Sequence, residues 1–217
     1  MEGKKNLILL YTVIGFLIIF HLVGWFNFVF GANPQEFARL TPINLILSLI
    51  GILIFCPLND NSFKLKILII GLIGFSSELI GVNTGILYGH YSYSDKLGLK
   101  LLGVPIILFI NWVLVIVSIH AVLNYIFSRF KFNVSYLVLA FIGASILVLY
   151  DYVLEPFAIK YHLWSWDLMF PPLFNYISWF GISFLNLLIL SKWIVNKTVY
   201  LVGLTIIVLE VLFFFFV

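Results

Sequence analysis

A single cysteine, Cys56, in 217 residues excludes an internal disulfide and a multi-cysteine metal cluster. It reads as a small apolar side chain near a helix end. Charge is equally scarce: 10% of residues are charged and 63% are hydrophobic, where soluble domains carry about 25% charged. An ordinary soluble fold is therefore excluded, and an all-α polytopic membrane protein is expected. The net charge of +3 is too small and scattered for a nucleic-acid footprint, so no nucleic-acid partner is expected. The four histidines, His21, His90, His120 and His162, form no H-x-x-x-H or H-x-x-H pair. That argues against a membrane di-iron hydroxylase or desaturase and leaves metal ligation the minority reading. The apolar stretch 198–217 holds no lysine, which excludes a retinal Schiff base there.

What is present is hydrophobic length. Stretches able to cross a hydrocarbon layer of about 30 Å fall at 6–30, 40–57, 66–82, 104–128, 134–155, 175–191 and 198–217, predicting about seven transmembrane helices in one membrane domain, 1–217. The first follows Lys4 and Lys5 and is about twice the length of a signal-peptide core, with no A-x-A-like site, so it reads as a retained membrane helix. Of the twelve Lys and Arg, eight (Lys4, Lys5, Lys64, Lys66, Arg129, Lys131, Lys192, Lys197) fall on one face and four (Arg39, Lys96, Lys100, Lys160) on the other. The positive-inside rule then places the N-terminus in the cytoplasm.

Polar chemistry is concentrated in two stretches, 78–93 and 151–166, both on the extracytoplasmic side in that orientation. Each begins with a carboxylate, Glu78 or Asp151, and thirteen residues later reaches an aromatic-Ser-aromatic triplet, Tyr91-Ser92-Tyr93 or Trp164-Ser165-Trp166. Pro105 and Pro172, then Trp112 and Trp179, extend the match with a one-residue slip. The spacing predicts an internal repeat with halves at about 66–128 and 134–191, related by an axis along the membrane normal, with a binding site at their interface. A carboxylate in hydrocarbon costs roughly 2.5–3.5 kcal/mol on insertion scales, so Glu78, Asp151 and Glu155 must face the bundle interior or a polar cavity. Hydrocarbon favours the uncharged acid, and an uncharged acid is a proton donor. Asp151 and Glu155 share a helix face, and Pro156 is expected to end that helix.

Each of these features also has a plain structural reading. The acids can be helix-end carboxylates bonded to backbone, Tyr or Trp donors. The rings Tyr91, Tyr93, Trp112, Trp164, Trp166 and Trp179 can be interfacial anchors, or π faces that hold a cation. His90 and His162 lie in the polar loops, placed to orient groups or shuttle protons, whereas His120 reads as structural. Glu210 either joins the acid cluster or snorkels. Gly81, Gly85, Gly89 and Gly98, with Asn83 and Thr84, predict a tightly folded loop. No Walker-type Lys-Ser/Thr follows them to support a phosphate cradle.

At these residues the chain resembles the integral-membrane carotenoid-biosynthesis family that contains bisanhydrobacterioruberin hydratase and bacterial γ-carotene/lycopene 1′-hydratases. The resemblance is carried by Glu78-x-x-Gly81-Val-x-Thr84-Gly85-x-x-Tyr88-Gly89-x-Tyr91-x-Tyr93, Gly103-Val104-Pro105 and Trp112, and continues with Asp151-x-x-Leu-Glu155-Pro156-x-Ala158, Trp164-x-Trp166, Pro171-Pro172, Asn175-Tyr176 and Trp179. It spans about 78–180. The resemblance implies a multi-pass enzyme of the bacterial inner (cytoplasmic) membrane that adds water, without cofactor or metal, across the terminal double bond of an acyclic ψ end. Carotenoid substrate, membrane lipid and other carotenoid-pathway enzymes are the partners it implies. The catalytic candidates are Glu78, Asp151 and Glu155. The substrate-binding candidates are Asn83, Tyr88, His90, Tyr91, Tyr93, Trp112, Trp164, Trp166, Asn175 and Trp179. Two rival readings stand beside it: an intramembrane prenyltransferase, because Asp151-x-x-x-Glu155 is like half of a magnesium-diphosphate motif, and a non-catalytic isoprenoid-lipid carrier or assembly subunit.

Overall fold

The computed structural model describes residues 2–217, with side chains from Lys5 onward; the side chain of Lys4, one of the cations in the topology count, lies outside the described residues. The chain is 74% helical. Its helices are α1 (Glu2–Phe30), the single turn α2 (Pro34–Phe37), α3 (Thr41–Leu53), α4 (Asn61–Thr84), α5 (Ile107–Arg129), α6 (Tyr136–Lys160), α7 (Leu173–Ile189) and α8 (Lys197–Phe216). Six spans are long and apolar enough to cross a membrane, α2 and α3 counting together as Pro34–Leu53, and α7 is a shorter apolar helix of 17 residues. The all-α polytopic expectation is thus met.

Local chemistry sets the helix ends. Asp60, Ser135 and Asn196 cap α4, α6 and α8 by accepting from backbone N–H groups in the first turn, the usual remedy for orphan donors. Gly85 ends α4 in the left-handed region at φ 69°, its N–H bonded to Gly81 O at 2.8 Å, a conformation that favours a residue without Cβ. Within the bundle α5 is the central helix, with 72% of its best apolar window buried against 17% for α1. Small residues let its neighbours approach: a Cβ on Gly74 of α4 would overlap the Trp112 side chain, and one on Gly203 of α8 would lie 3.1 Å from Ser118 O. Close approach at small residues is the main packing device where lipid removes the hydrophobic drive between helices.

Two loops close one end of the bundle. The first carries β1 (Tyr91–Tyr93), β2 (Lys100–Leu101) and β3 (Val104–Pro105); the second carries β4 (Trp164–Trp166). β2 and β3 form a local ladder, while β1 pairs antiparallel with β4 in the register Tyr91 to Trp166, Ser92 to Ser165 and Tyr93 to Trp164. The two aromatic triplets are therefore partners, centred on the serine pair, whose Oγ atoms lie 3.2 Å apart. Gln35 after α1 ties into the same end, donating to Lys160 O and accepting from Lys96 Nζ, which also donates to Tyr161 O.

Four sequence expectations are corrected. Pro156 does not end α6, which continues to Lys160; the proline lacks an N–H and clashes one turn back, yet the turn beyond it is held by packing of Phe157 on Phe28, Phe213, Phe214 and Tyr161. Val104 and Pro105 form a strand, so α5 begins at Ile107; the chain is held extended there by Ile106 N–H bonding to Leu99 O. α4 runs from Asn61 to Thr84, beyond the predicted 66–82 at both ends, because the Asp60 cap and the Gly85 turn lie outside the apolar run. α8 begins at Lys197, one residue before the predicted stretch, so the last helix does carry a lysine; it is exposed at the helix start, remote from any interior site.

Candidate functional site

α4, α5, α6 and α7 converge beneath the β1–β4 ladder on a cavity of about 80 Å³, lined by Glu78, Asp151 and Glu155 together with Tyr88, Tyr91, Tyr93, Trp164, Trp166, Asn175 and Trp179. That volume admits several waters. The three acids are buried, at 4%, 1% and 4% relative exposure, and each is served by its own donors. Glu78 Oε2 accepts from Tyr91 OH at 2.5 Å and Tyr93 OH at 2.8 Å, and Oε1 accepts from Trp112 Nε1 at 3.1 Å. Glu155 Oε2 accepts from Trp164 Nε1 at 3.2 Å and Trp166 Nε1 at 2.9 Å. Asp151 Oδ2 accepts from Asn175 Nδ2 at 2.7 Å.

The donors hold their protons. Burial, then the neighbouring Glu78 carboxyl, pushes the phenols of Tyr88, Tyr91 and Tyr93 well above the usual tyrosine range, so they remain neutral hydrogen-bond donors at physiological pH. Their rings and the indoles make the wall: Tyr91 lies 5.0 Å from Trp166, Tyr93 is edge-on to Trp164 at 5.9 Å, and Trp112 stacks on Trp179 at 4.5 Å. No lysine or arginine lines the cavity among the described residues. Neutral donors, aromatic faces and buried acids make a site that can donate a proton and tolerate a transient cation.

Most of the predicted residues are brought together. The three carboxyl groups and seven of the ten substrate-binding candidates line the cavity, and Trp112 supports it from behind through Glu78. Asn83 and His90 do not line it. Asn83 is exposed and fastens the loop by donating to Leu79 O and Leu102 O, and His90 is exposed on the far side of Trp166, beside Gly85 and Pro172. His162 occupies an exposed left-handed turn at φ 52°. His120 is buried near the opposite end, its Nε2 3.1 Å from Trp193 O and its ring stacked on the indole. Glu210 is buried and accepts from Tyr150 OH at 2.8 Å, which separates it from snorkelling residues.

Asn111 and Tyr150 also line the cavity and were not singled out from the sequence. Their signal was a polar group inside an apolar helical run, Ile110-Asn111-Trp112 and Leu149-Tyr150-Asp151. Ser77 and Ser178 brace Tyr88, by its hydroxyl at 2.7 Å and its backbone N–H at 3.3 Å.

Fold and site together define a polytopic membrane protein with an acid-and-aromatic chamber at one end of its helical bundle. The chain belongs to the family described as "Carotenoid biosynthesis protein", whose model matches residues 41–217. No curated protein matches the chain. No solved structure matches it.

Proposed function

We propose that the protein is a carotenoid hydratase of the bacterial cytoplasmic membrane that adds water across the terminal trisubstituted double bond of an acyclic or monocyclic carotenoid. The observation that carries this reading is the convergence of Asp151, Glu78 and Glu155 on one aromatic-walled cavity in a member of a carotenoid-biosynthesis family. Asp151 is the proton donor of choice. It accepts one hydrogen bond from a neutral amide, whereas the three donors directed at Glu78 suit the ionised form. The proton of Asp151 passes to the less substituted alkene carbon as the π bond breaks, leaving a tertiary cation. Ring faces and the Glu78 carboxylate stabilise that cation. Water then forms the new C–O bond and gives its extra proton to Glu155, so the net change is one water per alkene. Proton return from Glu155 to Asp151, one helical turn apart, resets the site.

Two rivals fit less well. Diphosphate needs cations, and the three lysines near this end are engaged outside the cavity: Lys96 with Gln35 and Tyr161, Lys100 with Tyr93 O and Asp95, and Lys160 with Val217 O. A pure carrier has no need of three buried acids, each costly in hydrocarbon. The test is expression in a host that makes lycopene or γ-carotene, followed by pigment mass spectrometry. A product heavier by one water, with solvent deuterium on the carbon beside the new alcohol, is expected. Absence of any hydrated pigment from a verified, membrane-inserted protein overturns the reading, and EDTA-sensitive turnover of a prenyl diphosphate establishes the prenyltransferase.

A further inference from the structure

The acid cavity takes an end group and water but not the length of a polyene, so on the hydratase reading the rest of the substrate must lie elsewhere. A second cavity of about 200 Å³ lies between α1, α3, α6 and α8. It shares Thr41, Leu45, Phe157 and Phe214 with the acid cavity, so one wall serves both. On its other side it shares His21 and Phe213 with a groove between α1 and α8, lined also by Leu22, Trp25, Leu209 and Leu212. Leu22 and Leu212 are exposed on the apolar outer surface of the bundle. The three spaces thus lie in series from the lipid-facing flank of α1 and α8 to the acids, each divided from the next by shared side chains, and Gly24, opposite Phe213, widens the middle one. α1 lies outside the residues that the family match covers, whereas the α3, α6 and α8 walls lie within it.

The middle cavity is apolar except at Asn44, Glu210, His21 and Thr41. Asn44 Oδ1 and Glu210 Oε1 are buried without a partner, which native structures seldom tolerate unless a ligand or water satisfies the group. A hydrocarbon tail cannot do so, but a tertiary alcohol placed between them can donate its single O–H to Asn44 Oδ1. The geometry points to an α1–α3–α8 passage that holds the chain of a long isoprenoid substrate, opens to lipid between α1 and α8, and receives the hydroxyl of the departing product at Asn44 and Glu210. This inference rests on the hydratase reading for the direction of travel.

Cysteine protection tests it without requiring turnover. In a Cys56→Ala background carrying Asp151→Asn to prevent reaction, Gly24→Cys, Leu45→Cys and the lipid-facing control Ile19→Cys are labelled in nanodiscs with a membrane-permeant maleimide. Lycopene and its singly hydrated alcohol serve as probes. At about ten times the dissociation constant the free fraction falls about tenfold, so labelling at positions 24 and 45 is expected to slow by that factor while Ile19→Cys labels unchanged. Adding Asn44→Leu is expected to weaken protection by the alcohol about tenfold, as for one buried polar contact, and to leave protection by lycopene intact. Equal labelling at all three positions with and without polyene overturns the passage. Equal weakening for both probes, or for neither, overturns the hydroxyl site. Hydration by the unmodified protein without protection removes this inference and keeps the hydratase, whereas protection by lycopene without hydration keeps the polyene passage and removes both the hydratase and the product-hydroxyl site.

Discussion

Replacing Asp151 by asparagine separates proton donation from everything else that side chain does. The change is isosteric, and the new amide oxygen can still accept from Asn175 Nδ2 at the 2.7 Å position now held by Oδ2, so what is lost is the proton. Positioned general acids contribute about 10²–10⁴ in rate, or about 2.7–5.5 kcal/mol of barrier. Exchanging one hydrogen-bonded group for another alters folding by roughly 0.5–1.5 kcal/mol at most. Asp151→Asn is therefore expected to insert and melt close to the parent protein, yet to lose hydration of lycopene by at least about a hundredfold. The assay is hydrated pigment per mole of membrane-inserted protein, with the thermal midpoint in detergent as the control for folding. Glu78→Gln keeps the size of its side chain and is expected to lose less, because that carboxyl acts on charge and not by transfer. Activity of a folded Asp151→Asn protein within about fivefold of the parent, well short of a general acid's contribution, refutes the assignment. Retained turnover in the double variant with Glu78→Gln refutes acid catalysis by the pair.

Other consequences follow from the same contacts. Tyr91→Phe and Tyr93→Phe each remove a bond to Glu78 Oε2, on the proposed mechanism a bond to a carboxylate and so expected to cost about 1.5–3 kcal/mol in reversible unfolding. Because they share one oxygen, the double variant should fall short of additivity by about 0.5 kcal/mol or more, and strict additivity counts against the shared contact. Gly74→Ala drives a methyl into the Trp112 side chain and is expected to destabilise by about 1–3 kcal/mol and to perturb tryptophan fluorescence. Gly181→Ala, with open space around it, should be neutral or stabilising by up to about 1 kcal/mol; equal loss in both variants removes the packing argument. Ser92→Cys with Ser165→Cys, in a Cys56→Ala background, should close a disulfide on mild oxidation, read as the loss of two hydrogens in intact mass. The two positions face each other across the ladder, and failure to cross-link speaks against that register.

The membrane architecture and the acids were legible because both depend on composition over short windows. Seven apolar runs predicted seven helices, and an acid inside such a run had to find a polar interior. The matched thirteen-residue spacing marked the two aromatic triplets, but nothing local indicated that they pair with each other: three-residue strands carry too little alternation to announce a partner 73 residues away. Pro156 misled because its local preference was overridden by packing of Phe157 on the rings of α1 and α8. Asn83 acts in the tight loop that its glycine neighbours predict, donating to Leu79 O and Leu102 O, and not as a substrate contact; His90 shows that a polar side chain in a membrane-edge loop need not face a site. The second cavity was invisible for another reason: its walls come from α1, α3, α6 and α8, and no sequence pattern reports what four distant segments leave empty between them.

The way the donors are divided has a bearing on biogenesis. Among the described residues, every group that bonds to Glu78 comes from Tyr91, Tyr93 or Trp112, all upstream of the end of α5. Every group that bonds to Asp151 or Glu155 comes from Trp164, Trp166 or Asn175, all downstream of the start of α6. A nascent chain released from the ribosome as far as α5 therefore already carries the means to quench its first buried acid, and the following segments bring their own. Neither half has to wait at the translocon with an unmatched carboxyl in lipid, and the hydrogen-bonded seam between the two triplets need form only once both have been laid down.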